Sequence, residues 1–133
     1  MGRRQSRESA MQVLYQVDVG KMAVDEAMQN IQDNFMLTGP DLEFASHLVH
    51  GTLDKLDELD KTIAGYSREW QVERMAAVDR NILRLALYEM LYARDIPPNV
   101  SINEAVEMAK RFGGAESGKF INGILGAVVR ARA

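Results

Sequence analysis

The segment with the most obvious capacity for chemistry is Gly113-Gly114-Ala115-Glu116-Ser117-Gly118-Lys119-Phe120, which matches the G-x-x-x-x-G-K part of a nucleotide-binding loop. Three features argue against a nucleotide there. Phe120 stands where a Ser or Thr hydroxyl should bind magnesium, the segment follows a helical pattern rather than a strand, and Glu116 places a negative charge among the phosphates. What survives is simpler: backbone N–H groups at a helix start, beside Lys119, suit a single phosphate of any origin. A second candidate is Glu43, His47, His50 and Asp54, whose spacing shares one helix face and could hold a metal. That face lies away from the apolar stripe and equally suits a solvated surface, so no metal site is assigned. Both histidines of the chain lie there, which excludes a His-based nucleophile system elsewhere.

Aromatic residues interleaved with cations point elsewhere. Phe112 and Phe120 flank the glycine-rich loop among Lys110, Arg111 and Lys119, and Tyr15 follows Arg7 by two helical turns. Exposed aromatic rings stack on unpaired bases while nearby cations hold the backbone, the usual device for single-stranded RNA. The competing reading is that Phe112 and Phe120 cap the core.

The elements that must position these residues are helical. Ala10, Val13, Leu14 and Val17 line one face of a first helix ending near Gly20, and Val24, Ala27, Met28, Ile31 and Phe35 line a second. Pro40 is placed to open a third, with Leu42, Ala45, Val49, Leu53 and Leu56, continuing through Leu59 and Ile63 with a kink at Gly51. Ile82 to Leu91 is apolar nearly all round and reads as a buried central helix. Pro97-Pro98 stops it; Ser101 and Glu104 then have the form of a capping box for a helix to about Phe112. Phe120, Ile121, Ile124, Leu125 and Val128 form the last helix. No alternating β-branched run is present, so the expected fold is all-α, a bundle of about seven helices.

The chain has 133 residues, 47% of them hydrophobic, and no cysteine, which excludes disulfides and Cys-based metal sites. No stretch approaches the roughly 20 apolar residues of a membrane span, and the polar, basic N-terminus has no apolar signal core, so a cytoplasmic location is expected. The net charge is −3, but its distribution is uneven. Arg3, Arg4 and Arg7 crowd one end and Lys110, Arg111, Lys119, Arg130 and Arg132 the other, while residues 18–69 hold eleven acids against four bases. Local cations, not the total, decide whether an acidic protein can hold phosphate.

Four motifs, in order along nearly the whole chain, resemble the bacterial NusB family of transcription antitermination factors. They are the Arg-rich opening Arg3-Arg4-Gln5-Ser6-Arg7 to Leu14-Tyr15, the central Val78-Asp79-Arg80 to Glu89-Met90, the segment Ile102-Asn103-Glu104-Ala105-Val106-Glu107-Met108-Ala109-Lys110, and Lys119-Phe120-Ile121-Asn122-Gly123-Ile124-Leu125. The resemblance implies two packed three-helix bundles, about 1–65 and 70–133, within a single RNA-binding domain spanning 1–133. It implies no catalysis and no cofactor. It further implies a heterodimer with the small-subunit ribosomal protein NusE, recognition of boxA in nascent ribosomal RNA leaders, and read-through by an RNA polymerase antitermination complex. Positions matching the family's RNA-contacting motifs are Arg3, Arg4, Arg7, Tyr15, Phe112, Glu116, Ser117, Lys119 and Phe120; those matching its partner surface are Asp79, Arg80 and Arg84. Gln5 and Ser6 make the arm less basic than in many relatives, and Gly118 stands where a larger polar residue is common, which implies a more flexible loop. The alternative is a homodimeric regulatory module with its RNA site masked. NusB-like domains are also fused to RNA methyltransferases, but no βαβ unit, and so no methyltransferase activity, is expected of these residues.

Overall fold

A computed structural model describes residues 3–68, 70–93 and 95–132; Met1, Gly2, Glu69, Arg94 and Ala133 lie outside the described residues. Seven α-helices follow in order: α1 Arg3–Asp18, α2 Val24–Phe35, α3 Gly39–Asp54, α4 Leu56–Tyr66, α5 Ala77–Tyr92, α6 Pro98–Phe112 and α7 Ser117–Arg132. One turn of 3₁₀ helix, Val72–Arg74, leads into α5, and the described residues contain no strand. The all-α expectation holds. None of these helices is long and apolar enough to cross a membrane.

The helix at the centre is the one whose sequence is apolar on every side. α5 packs against α1, α3, α4, α6 and α7. Ile82, Leu83, Leu85 and Leu87 are essentially inaccessible to solvent, each such side chain contributing about 1.5–3 kcal/mol of burial. α2 and α3 both pack on α1, and α6 pairs with α7. The buried residues of these helices form one continuous core, with α5 in contact with most of the others.

Two local expectations are corrected. The break in the third apolar segment falls at Lys55, between α3 and α4, and not at Gly51. Gly51 stays helical because α3 crosses α5 there: a Cβ would overlap the Tyr88 ring. A close helix crossing offsets the intrinsic cost of glycine in a helix. The second correction concerns Ser101 and Glu104, which do not cap α6. The helix opens four residues earlier, with Pro97 at the N-cap and Pro98 in its first turn, where a missing N–H costs nothing. Ser101 is thereby carried into the helix interior and buried. Its hydroxyl donates to Glu89 Oε1 at 2.5 Å, and Glu104 reaches across to Arg4.

Candidate nucleic-acid interface

The loop between α6 and α7 is short and tightly closed. Gly113 N–H donates to Ala109 O at 2.9 Å and ends α6. A Cβ at Gly113 would lie 2.6 Å from Ser117 Oγ and 2.9 Å from Ala109 O, so the loop can pass only with glycine there. Gly114 N–H donates to Ser117 Oγ at 2.9 Å, and Ser117 N–H returns to Gly114 O at 3.1 Å. Ser117 is buried by this reciprocal pair and shapes the start of α7. Gly118 is not a loop residue at all. It sits in the first turn of α7, where an added Cβ would meet Val106 and Lys110 of α6 at ordinary contact distance, so the greater loop flexibility expected from it has no basis here.

This frame presents Lys119 and Glu116 to solvent. Lys119 forms no ion pair among the described residues and stands between two depressions. One, of about 380 Å³, is lined by Val106, Lys110, Gly118 and Asn122. The other, about 620 Å³, lies between Trp70, Arg74, Met75 and Asp79 on the approach to α5 and Glu116 and Phe120 on the α7 side. The two phenylalanines differ. Phe112 is exposed, with the Arg111 guanidinium 5.3 Å from its ring centre. Phe120 is half-buried against the core and shows its remaining face to the larger groove.

At the other end of the chain the arginines are already engaged. The expected arm is the first two turns of α1. Arg7 is buried, and its guanidinium donates to both oxygens of buried Glu89 at 2.8 and 2.9 Å. With Ser101, this pair ties α1, α5 and α6 together, and in this arrangement Arg7 does not face solvent. Arg4 is exposed but donates to both oxygens of Glu104 at 3.0 and 2.8 Å. The hydrogen bond from Arg4 holds the Glu104 carboxyl below its ordinary range, against partial burial. Arg3 lies over the Phe44 ring at 4.4 Å. Arg111, at the end of α6, pairs with Glu8 of α1. Tyr15 is exposed on the same helix.

The three positions matched to a partner surface also separate. Arg84 is buried and donates to Asp60, Asp18 and Asn81. Arg80 donates to Asp18 at 2.6 and 3.1 Å and to the carbonyls of Glu73 and Met75 at 3.4 and 3.2 Å, bracing the turn before α5. Burial raises the Asp18 carboxyl, but hydrogen bonds from Arg80 and Asn81 and the charges of Arg80 and Arg84 outweigh it and hold it down at about 2. Asp79 alone lines the groove, and its Oδ1 is buried without a hydrogen-bond partner.

His47 and His50 are exposed. The His47 ring meets Tyr88 edge-on at 5.8 Å, and the described residues contain no cluster of three His, Asp or Glu placed to hold a metal. Trp70, the only tryptophan of the chain, is half-exposed on the groove and was not anticipated as a binding residue. Its signal was a large aromatic in a stretch without helical periodicity. The buried carboxylate of Glu89 was also missed, although the only acid in the apolar stretch Ile82 to Leu91 calls for a buried partner.

Residues 4–130 match the sequence profile of the NusB family. The chain belongs to the NusB family. The transcription antitermination protein NusB of Desulforamulus reducens is 54% identical over 126 residues, 95% of this chain and 88% of the relative. That of Bacillus subtilis is 51% identical over 125 residues, 94% and 92% of the two chains. Among solved structures, NusB of Thermotoga maritima superposes with a TM-score of 0.91 at 36% identity, covering 98% of this chain and 92% of that one. The antitermination factor NusB crystallised with NusE and dsRNA superposes with a TM-score of 0.89 at 27% identity, covering 97% and 96%. The four-motif resemblance is therefore sound, and NusB proteins are transcription antitermination factors, not enzymes.

Proposed function

We propose that this NusB-family chain, together with the ribosomal protein NusE, recognises boxA RNA in nascent ribosomal RNA transcripts and promotes read-through by the RNA polymerase antitermination complex in the cytoplasm. The observation that carries this reading is Lys119: an exposed cation without an ion pair among the described residues, in the first turn of α7 and beside the groove that Phe120 also lines. A cation next to an aromatic ring suits a backbone phosphate and a neighbouring base, and the exposed ring of Phe112 at the end of α6 offers a further stacking surface. The solved complex of a NusB with NusE and dsRNA supports the choice of partner and ligand class.

In this reading the whole of residues 1–133 acts as one RNA-binding domain, its N-terminal bundle spanning about 1–65 and its C-terminal bundle about 70–133. Arg3, Arg4 and Tyr15 extend the RNA surface along α1, with Glu104 yielding Arg4 to phosphate. Glu116 meets the strand beside Lys119. Ser117 holds the loop in shape, and Arg7 fixes the position of α1 beneath it. Asp79 faces the partner side directly, whereas Arg80 and Arg84 brace the helix that presents it.

The test is a titration of an end-labelled single-stranded boxA RNA, with a scrambled strand and a duplex as controls, with and without NusE. NusE is expected to tighten binding to the boxA strand well above both controls. Equal binding of the scrambled strand, or no effect of NusE, would overturn the proposal.

A further inference from the structure

The larger groove beside Lys119 has the composition of a pocket for a single nucleobase. Trp70 and Phe120 both line it, the indole half-exposed and the phenyl ring partly buried against the core. Arg74 and Lys119, both exposed, supply cations on both sides, and neither forms an ion pair among the described residues. The volume, about 620 Å³, leaves room for a base with its sugar.

The groove is also built rather than incidental. The Ser67 hydroxyl donates to Trp70 O at 2.7 Å, and Trp70 N–H returns to Ser67 Oγ at 3.4 Å, so the backbone carrying the indole is tied to the end of α4. Arg80, anchored on Asp18, holds the carbonyls of Glu73 and Met75 from below. A half-exposed indole on a fixed backbone, with no ring partner of its own among the described residues, is an unused stacking surface.

We infer that this groove receives one unpaired base of the bound RNA strand, stacked between Trp70 and Phe120. The inference rests on the RNA-binding reading above and adds to it a stacking site on the approach to α5. Aromatic stacking of one base is sequence-tolerant, so the two rings supply affinity at this nucleotide.

The experiment measures binding of the same end-labelled strand, with NusE present, to the wild type, Trp70→Ala, Trp70→Phe and Lys119→Ala, using strands that carry a single abasic site at each position in turn. Trp70→Ala is expected to weaken binding about tenfold and Trp70→Phe by less than about threefold. At one abasic position, and only there, wild type and Trp70→Ala should bind equally. The indole provides an independent readout, free of any folding defect in the alanine variant. Its emission, taken as the difference from the Trp70→Phe complex, should be quenched by the intact strand and restored by that same abasic site. If Lys119→Ala weakens binding while Trp70→Ala does not, the RNA reading stands and the base pocket is overturned. A Trp70→Ala loss equal at every abasic position, or an emission indifferent to the strand, overturns it as well. Failure of the wild type to bind the strand at all removes both proposals together.

Discussion

The chain has two basic regions that look alike in sequence, the opening turns of α1 and the segment around the α6–α7 loop, and they meet opposite fates. At α1, Arg7 is buried against Glu89 and Arg4 lies in a two-point pair with Glu104. Around the loop, Arg111 pairs with Glu8, but Lys119 in the first turn of α7 stands in solvent without an ion pair among the described residues, and Phe112 at the end of α6 is exposed. The difference follows from where the carboxylates lie in three dimensions. α1 packs on α5, which carries Glu89, and its Arg4 reaches Glu104 of α6, whereas Glu116 is the only acid in the loop that leads into α7. A cation can bind a ligand only to the extent that the fold has not already given it a partner. One basic end therefore serves mainly to assemble the structure, and at the other Lys119 is left free.

The sharpest way to break this contrast is Arg7→Ala. It leaves the Glu89 carboxylate buried with only Ser101 as a side-chain partner, so unfolding stability should drop by about 3–5 kcal/mol in a denaturant titration. A loss below about 1 kcal/mol would mean that Arg7 is not structural. Phe112→Ala tests the opposite end. Stability should barely change, while affinity for the boxA strand in the presence of NusE falls by about 1–3 kcal/mol if the ring stacks on a base. An unfolded Phe112→Ala protein would place this ring with the core instead.

Smaller effects refine the picture. The Asp18 carboxyl is held at about 2 in the folded protein, below its ordinary value of 3.8. A depressed carboxylate contributes its stability above the unfolded value and loses it as pH falls through the folded one. Acid titration between roughly pH 4 and pH 2 should therefore remove about 1–2 kcal/mol, after discounting for partial exposure. Asp18→Asn should flatten that part of the pH profile, and an unchanged profile would argue against the Arg80–Asp18–Arg84 network. The smallest effect is expected at Arg4. Arg4→Ala should leave the denaturation midpoint unmoved, yet lower the slope of log affinity against log salt by about 1 if Arg4 exchanges Glu104 for phosphate. An unaltered slope would leave Arg4 as a surface ion pair only.

Much of the fold was legible because helices are local. The 3.6-residue recurrence of Val24, Ala27, Met28, Ile31 and Phe35 places α2 correctly, and the all-round apolar stretch at Ile82 to Leu91 identifies the central helix before any packing is known. The glycine-rich loop was legible too, since glycine pairs end helices and the departures from a nucleotide loop are single residues that can be named. Helix boundaries were less so. Ser101 and Glu104 satisfy a capping pattern, but Pro98 opens the helix first and the tertiary structure uses both side chains elsewhere.

By itself, the sequence determined the helical class, the buried helix, the position of the glycine-rich loop before Lys119 and, through four ordered motifs, the NusB family. Only the tertiary structure decided which charged and aromatic groups were free. Arg7 meets Glu89 across 82 residues, Arg4 meets Glu104 across 100, and Arg111 meets Glu8 across 103. No local pattern encodes such pairings, because periodicity reports which face of a helix is apolar and not which neighbour that helix will cross. Trp70 illustrates the same limit from the other side. Its exposure depends on a groove whose two walls lie on either side of α5 and α6 in the chain and meet only when the helices pack.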